Sequence, residues 1–273
     1  MEQATTGHYP IERREGEIER LHIQSTAMAA DCDIMLERIG VGGGWACLDL
    51  GCGPGGITAL LSTRVGAGGR VVGLDADVAF LEHARVNAAP NIKFIAGNAY
   101  RTDLVDGNFD LVHMRFIAST AGEPEKLIRE AMRLAKPGGI VAMQEPDMAS
   151  LNCYPPNASW DRLKAALQGA FSSAGTDICL AQRLYELVRF SGLADVQYRP
   201  FLVGVRSQDP WVDYLPSTVE SLRGTIVGRA LLSEDELNLA LAGCRTHLRN
   251  PNVVFTSYTV AQVWGRTPLA SRS

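Results

Sequence analysis

Two acids, Asp49 and Asp75, with Gly51, Gly53, Gly55 and Gly56 between them, are the residues whose types and spacing point first to chemistry. Gly51, Gly53 and Gly56 satisfy Gly-x-Gly-x-x-Gly, a pattern that lets backbone approach a bound nucleotide where a strand turns into a helix. Asp49 narrows the choice of nucleotide. A carboxylate two residues ahead of the first glycine would meet a dinucleotide's pyrophosphate at short range, and like charges in a partly dry site repel. A cationic nucleoside suits the turn better. Asp75, 24 residues after Gly51, stands where an acid can accept hydrogen bonds from both ribose hydroxyls.

Such residues need a sheet to hold them, and the chain reads as one. Residues 45–50 (WACLDL) form a short apolar run before the glycines, and Ile57, Leu60, Leu61 and Val65 mark the helix after them. Strands follow at 71–75, at 92–97 ahead of Asn98 and Ala99, and at 109–116. The last of these carries His113, Met114 and Arg115 to its carboxyl end, where ligands of open α/β sheets bind. Strand alternation turns His113 and Arg115 one way and Met114 the other. A helix opened by Glu123-Pro124 leads through Lys136-Pro137-Gly138-Gly139 into a strand IVAMQE that ends at Glu145.

Ahead of the sheet, apolar residues at spacings of three and four predict one helix over 11–39, with Tyr9 and Gln24 as polar groups that can face the site from a lid. Beyond Glu145, Trp160, Leu163, Leu167 and Phe171 mark a helix, and a strand is expected near 196–205. An inserted helical segment at 208–247 and a last long strand at 253–264 follow. The resulting division is a 1–40 helical lid, a 41–147 core, a 148–180 helical insertion and a 181–206 continuation of the core. A 207–250 helical insertion that caps the substrate and a 251–273 final strand and tail complete it.

From Trp45 to Glu145 the chain resembles the class I S-adenosylmethionine-dependent methyltransferases. Asp49, Gly51, Gly53 and Gly55 match the acid and glycines of that family's first motif, Asp75 its ribose acid, and Leu134, Lys136, Pro137, Gly138 and Gly139 its later turn. The closest group includes the ubiquinone and menaquinone biosynthesis enzymes and small-molecule methyltransferases of secondary metabolism. The resemblance implies an α/β fold: a doubly wound, seven-stranded Rossmann-like sheet with its last strand antiparallel, plus an N-terminal helix and helical cap insertions. It implies S-adenosyl-L-methionine as cofactor, held by Asp49, Gly51, Gly53, Asp75, Ala76, Asn98, Ala99, Met114 and Arg115, with Tyr9 and Gln24 from the lid. Where the family usually has Asp, this chain has Asn98, whose amide oxygen can still accept from the adenine amino group. Arg115 is suited to clamp the ligand carboxylate.

Methyl transfer from a sulfonium is an in-line displacement, so the protein mainly positions the nucleophile and excludes water. A base is needed only for a protonated nucleophile; His113 and Glu145 are the candidates, with His247 a weaker third. The expected acceptor is a small apolar or aromatic metabolite methylated on O, N or C. Two alternatives stay open: a protein of this fold that binds the cofactor without methyl transfer, and an NAD-dependent oxidoreductase.

The 273 residues, with 46% hydrophobic content, can bury one core and a subsidiary lobe. A net charge of -4 with no basic run argues against nucleic acid as partner. No apolar run of membrane-spanning length and no signal-peptide core are present, so a cytoplasmic protein with no membrane partner is expected. A homodimer is compatible with the sequence. Six scattered cysteines predict buried thiols rather than disulfides, and Glu145-Pro146-Asp147 lacks the companions a metal would need.

Overall fold

The computed structural model describes residues 16–269; Tyr9 lies outside them. Its strands are β1 (Ala46–Leu50), β2 (Arg70–Asp75), β3 (Ile92–Ala96), β4 (Phe109–Arg115), β5 (Ala135–Asp147), β6 (Asn152–Tyr154), β7 (Ala194–Phe201), β8 (Gly204–Arg206), β9 (Val254–Thr256) and β10 (Thr259–Arg266). Seven of them form one sheet in the order β3-β2-β1-β4-β5-β10-β7. β1 to β5 pair in parallel, and β10 runs antiparallel between β5 and β7. All five residues of β1 are buried, as a parallel strand covered on both faces requires. Strand order reverses between β1 and β4, and that switch point opens a crevice at their carboxyl ends.

Helices cover both faces. Leu127, Ile128, Ala131 and Leu134 of the Pro124–Leu134 helix join Leu184 and Val188 of the Ala181–Phe190 helix against one face. Met35, Leu36, Ile57 and Leu61 pack against the other. The two stretches expected as separate insertions share this second cluster. Trp160, Leu163 and Phe171 of the Ala158–Ser173 helix are buried with Leu215, Ile226, Leu237 and Leu241 from the helices at Tyr214–Glu220, Arg223–Gly228 and Glu234–Leu248. Together they make one helical cap over the crevice.

Three elements differ from the sequence reading. The N-terminal helix is two, Glu17–Ala27 and Ala29–Ile39, because Met28 leaves helical geometry at φ -101° and ψ -1°. The strand expected at 196–205 divides into β7 and β8, and the one at 253–264 into β9 and β10. Both divisions fall at the same rung. Ser257 N–H donates to the Val203 carbonyl at 2.8 Å and Ser257 Oγ accepts from Val203 N–H at 2.8 Å. The two strands leave the main sheet together there and join β6 in a small three-stranded sheet, ordered β6-β9-β8, beneath the cap. Tyr258 sits at the switch.

Candidate active site

The glycine turn is built by close approach. Gly51 and Gly53 have φ of +71° and +52°, a region that disfavours side chains. A Cβ on Gly51 would lie 2.7 Å from Ile117 Cδ1, and one on Gly56 would clash with Ser25 Oγ, so the turn is wedged between the Ile117–Ala121 and Glu17–Ala27 helices. From it opens a cavity of about 1470 Å³ that runs from the sheet's carboxyl edge up into the cap.

Acids line the sheet end. Asp75 Oδ1 accepts from Asp77 N–H at 2.8 Å and Oδ2 from Gly53 N–H at 2.7 Å, and each oxygen retains a lone pair for a ligand. Burial lifts the Asp75 carboxyl above its usual range against the pull of those two N–H groups. Asn98 lies exposed on the same wall, its Oδ1 accepting from Tyr100 N–H at 2.9 Å; Ala76, Ala99 and Phe80 complete it.

Asp49 is 2% exposed and accepts twice, from Thr58 Oγ1 at 2.7 Å and from His113 Nδ1 at 2.9 Å. The second bond is the end of a chain that crosses five adjacent strands. Arg199 on β7, which can only donate, gives Nη1–H to Gln262 Oε1 at 2.8 Å. Gln262 on β10 therefore turns its Nε2 to Gln144 Oε1 at 3.0 Å. Gln144 on β5 in turn sets its Nε2 against His113 Nε2 at 2.8 Å. That nitrogen must be the acceptor, so the His113 proton is on Nδ1 and faces Asp49. Gln144, Gln262 and His113 are all 0% exposed, and Arg199 is anchored outside by Asp31 at 2.5 Å.

His113 is thereby corrected from candidate base to positioning group: both ring nitrogens are engaged and the side chain does not reach the cavity wall. Glu145 fails for a similar reason. It is 0% exposed and accepts from the N–H groups of Ala118 and Ser119 at 3.0 and 3.1 Å, capping the short Ile117–Ala121 helix, and burial pushes its carboxyl up to about 7. His247 is half-buried, with Nε2 3.1 Å from the Pro155 carbonyl, away from the cavity. Met114 points into the core on the opposite face, as alternation requires, so its side chain lines no part of the site.

Arg115 does reach the cavity. Its Nη2 donates to Ser25 Oγ at 3.2 Å and Nη1 lies 3.6 Å from Cys32 Sγ; among the described residues it has no carboxylate partner. An unpaired guanidinium beside a crevice is a ready anchor for an anionic ligand group.

The cap end is aromatic. Phe116, Tyr214 and Tyr258 pack ring to ring, with centroids 5.8 Å apart for Phe116–Tyr258 and 5.6 Å for Tyr214–Tyr258, and Met148, Phe171 and Ile178 add apolar wall. Gln24, placed by sequence in the cofactor set, is 7% exposed and gives its Nε2–H to Tyr258 Oη at 2.6 Å. Phe80, Tyr214 and Tyr258 were missed by sequence reasoning. Phe80 and Tyr214 read as ordinary apolar helix positions, and only the sheet switch aims Tyr258 inward. Among the described residues no group of three or more metal-ligating side chains occurs, and no helix is long and apolar enough to cross a membrane.

Over residues 43–192 the chain matches the family described as "Methyltransferase domain". A 37.1 kDa protein encoded in transposon TN4556 of Streptomyces fradiae is 34% identical over 125 residues, 45% of this chain and 36% of that one. The demethylmenaquinone methyltransferase of Lactococcus lactis is 35% identical over 123 residues, 44% of this chain and 49% of that one. This chain thus matches less than half the length of either relative. Phosphoethanolamine N-methyltransferase 2 of Haemonchus contortus, solved with S-adenosyl-L-methionine, shares the fold at a TM-score of 0.56 and 17% identity, covering 88% of this chain and 52% of that one.

Proposed function

This chain belongs to the methyltransferase-domain family, and we propose that it is an S-adenosylmethionine-dependent methyltransferase acting on a small apolar or aromatic acceptor. One observation carries the reading: a single cavity has acids and a lone guanidinium at its sheet end and an aromatic chamber at its cap end.

The residues present fit the cofactor. The free lone pairs of Asp75 suit the two ribose hydroxyls, and Asn98 Oδ1 suits the adenine amino group, with Phe80 beside it as a flat apolar face. Arg115 is free to hold a carboxylate, while the Asp49 charge favours a ligand that carries positive charge on its amine and sulfur. Gly51 and Gly53 admit the ligand's closest approach, and Ala76 and Ala99 leave room at the base. When bound, the cofactor supplies a methyl group on a positively charged sulfur. The chain's part is to hold the acceptor in line behind that carbon and to keep water out, which the cap's buried aromatic wall is suited to do.

With His113 and Glu145 both held away from the cavity, no side-chain base is assigned. The Glu17–Ala27 and Ala29–Ile39 helices close the cofactor end as a lid, and residues 148–180 and 207–250 cap the acceptor. We place the protein in the cytoplasm, with no nucleic-acid or membrane partner and no metal. Calorimetric titration with S-adenosylmethionine and with NADH tests the cofactor: tight binding of the first alone is expected, and the reverse would overturn the reading. Transfer of labelled methyl to a panel of aromatic acceptors tests the activity; binding without transfer across the panel would favour a cofactor-binding protein of this fold.

A further inference from the structure

The short Arg223–Gly228 helix of the cap turns two sides to its surroundings. Ile226 is buried with Leu222 in the cap's apolar cluster, whereas Gly224, Thr225 and Gly228 fall on one side and line the cavity together with Arg229, which follows the last turn. A Cβ on Gly228 would meet nothing within 4 Å, so the space beside Arg229 is open. The arginines at the two ends of this helix are held in opposite ways. Arg223 donates to Glu220 at 2.6 and 2.9 Å and to Asn238 at 2.9 Å, and it is paired with Glu234 as well. Arg229 stands exposed at the cavity's rim, and among the described residues no hydrogen bond or ion pair engages its guanidinium.

The other charges along the wall are already engaged. Arg20 holds Glu17 through both carboxylate oxygens, at 2.8 and 2.7 Å, and Arg115 stands at the sheet end with Asp49, Asp75 and Asp77. An anion at the rim therefore meets the Arg229 guanidinium with no described acid competing for it, while a cation there meets positive charge alone. Inward from the rim the wall is apolar and flat. Phe171, Tyr214 and Tyr258 are buried, and the two tyrosine rings lie 5.6 Å apart, a surface on which planar ligands pack well. The planar fork of a guanidinium takes a carboxylate through two parallel N–H bonds, which fixes direction as well as charge. A basic residue at a helix C-terminus is also favoured by the helix itself, and that rival role has to be separated by experiment.

We propose that Arg229 is a specificity-determining residue that binds an acidic group of the acceptor at the cavity's rim, so that the acceptor is an aromatic carboxylic acid. Its ring system lies in the chamber of Phe171, Tyr214 and Tyr258, and its carboxylate reaches outward to the guanidinium. The carboxylate held at the rim is thereby the group that is not methylated. The word acceptor rests on the methyltransferase reading, but the recognition itself does not depend on the cofactor.

The test is a calorimetric comparison of 2-naphthoate, 2-naphthol and 2-naphthylmethylamine on the full chain, with S-adenosylhomocysteine in excess so that its own carboxylate occupies Arg115. Wild type is expected to bind naphthoate about fivefold tighter than naphthol, the scale of an ion pair at an exposed rim, with the protonated amine weakest. Arg229→Gln should bring naphthoate and naphthol to within about twofold while naphthol affinity holds, and Arg229→Glu should place the amine ahead of naphthoate. Arg249→Gln, which removes an exposed arginine outside the cavity, should leave the wild-type preference in place. No naphthoate preference in wild type, or an equal loss in Arg249→Gln, would overturn the proposal. So would a preference unmoved in Arg229→Gln with only a lower unfolding midpoint, which would mark the arginine as a helix-end charge. Failure to bind S-adenosylhomocysteine, with the naphthoate preference and its dependence on Arg229 intact, would instead sink the cofactor reading alone.

Discussion

The two ends of the cavity are governed in the same way and present opposite faces to a ligand. At each, an arginine that can only donate sets the orientation of the amides between it and the site. From Arg199 the donation runs through Gln262, Gln144 and His113 to Asp49, a residue that accepts and has nothing to pass on. From Arg20 it runs through Gln24 to Tyr258, whose oxygen accepts and whose hydroxyl is hydrogen-bonded in turn to Tyr214. The polarity of a buried chain is thus fixed at its far end, while the last residue decides what the ligand sees: a carboxylate at the sheet, a phenol set among aromatic rings at the cap.

The hardest way to break the comparison is to remove its middle. His113→Leu leaves Asp49 buried with one partner fewer, and losing one member of a buried pair costs roughly 3 to 5 kcal/mol. Denaturant unfolding checks this, and a loss under about 1 kcal/mol would mean the chain across the strands carries little. Glu145 serves as a control, being a buried carboxylate outside both chains. Its carboxyl rises from 4.5 to about 7 on folding, which amounts to roughly 3 kcal/mol. The folded state holds the extra proton between those values, so this contribution is full below about pH 4.5 and is lost as pH rises through about 7. The stability of wild type relative to Glu145→Gln should fall by that amount between pH 4 and pH 8; a flat difference would show that the two backbone donors cancel the effect of burial.

Two gentler changes sharpen the contrast at the sheet end. Asp75→Ala removes the acceptor for both ribose hydroxyls, and S-adenosylmethionine binding should weaken by about 2 kcal/mol, the scale of hydrogen bonds to a charged group. Calorimetry reads it, and unchanged affinity would detach Asp75 from the cofactor. Arg199→Met frees Gln262 and Gln144 to flip, so His113 should lose its single tautomer in nitrogen NMR and cofactor affinity should drop by about 1 kcal/mol, on the scale of one hydrogen bond. Arg199→Lys should restore part of both. A tautomer unmoved in Arg199→Met would show that the direction is set nearer the site.

The sheet end was legible because its chemistry is local. Asp49 and the glycines lie within a few residues of one another, and alternation along β4 correctly put His113 and Arg115 on one face with Met114 on the other. Alternation says nothing about what lies across the sheet, however. Gln144 and Gln262 come from strands remote in sequence, and they enclose His113 while Arg115, nearer the strand's end, clears them into the cavity. The cap end was nearly illegible. Helical periodicity ran through the break at Met28, strand periodicity ran through the change of sheet at Ser257, and Tyr258 looked like one more residue of a long strand.

That change of sheet has a consequence for the roof of the cavity. β7 and β10 turn off at one level, so the small sheet parts from the main one at the single rung of Val203 and Ser257, with Cys153, Val205 and Phe255 buried under the cap helices. That rung adjoins Tyr258, whose hydroxyl is tethered to the opposite helix through Gln24. The place where the chain changes sheets is thus also the place where the roof is tied to the N-terminal helix.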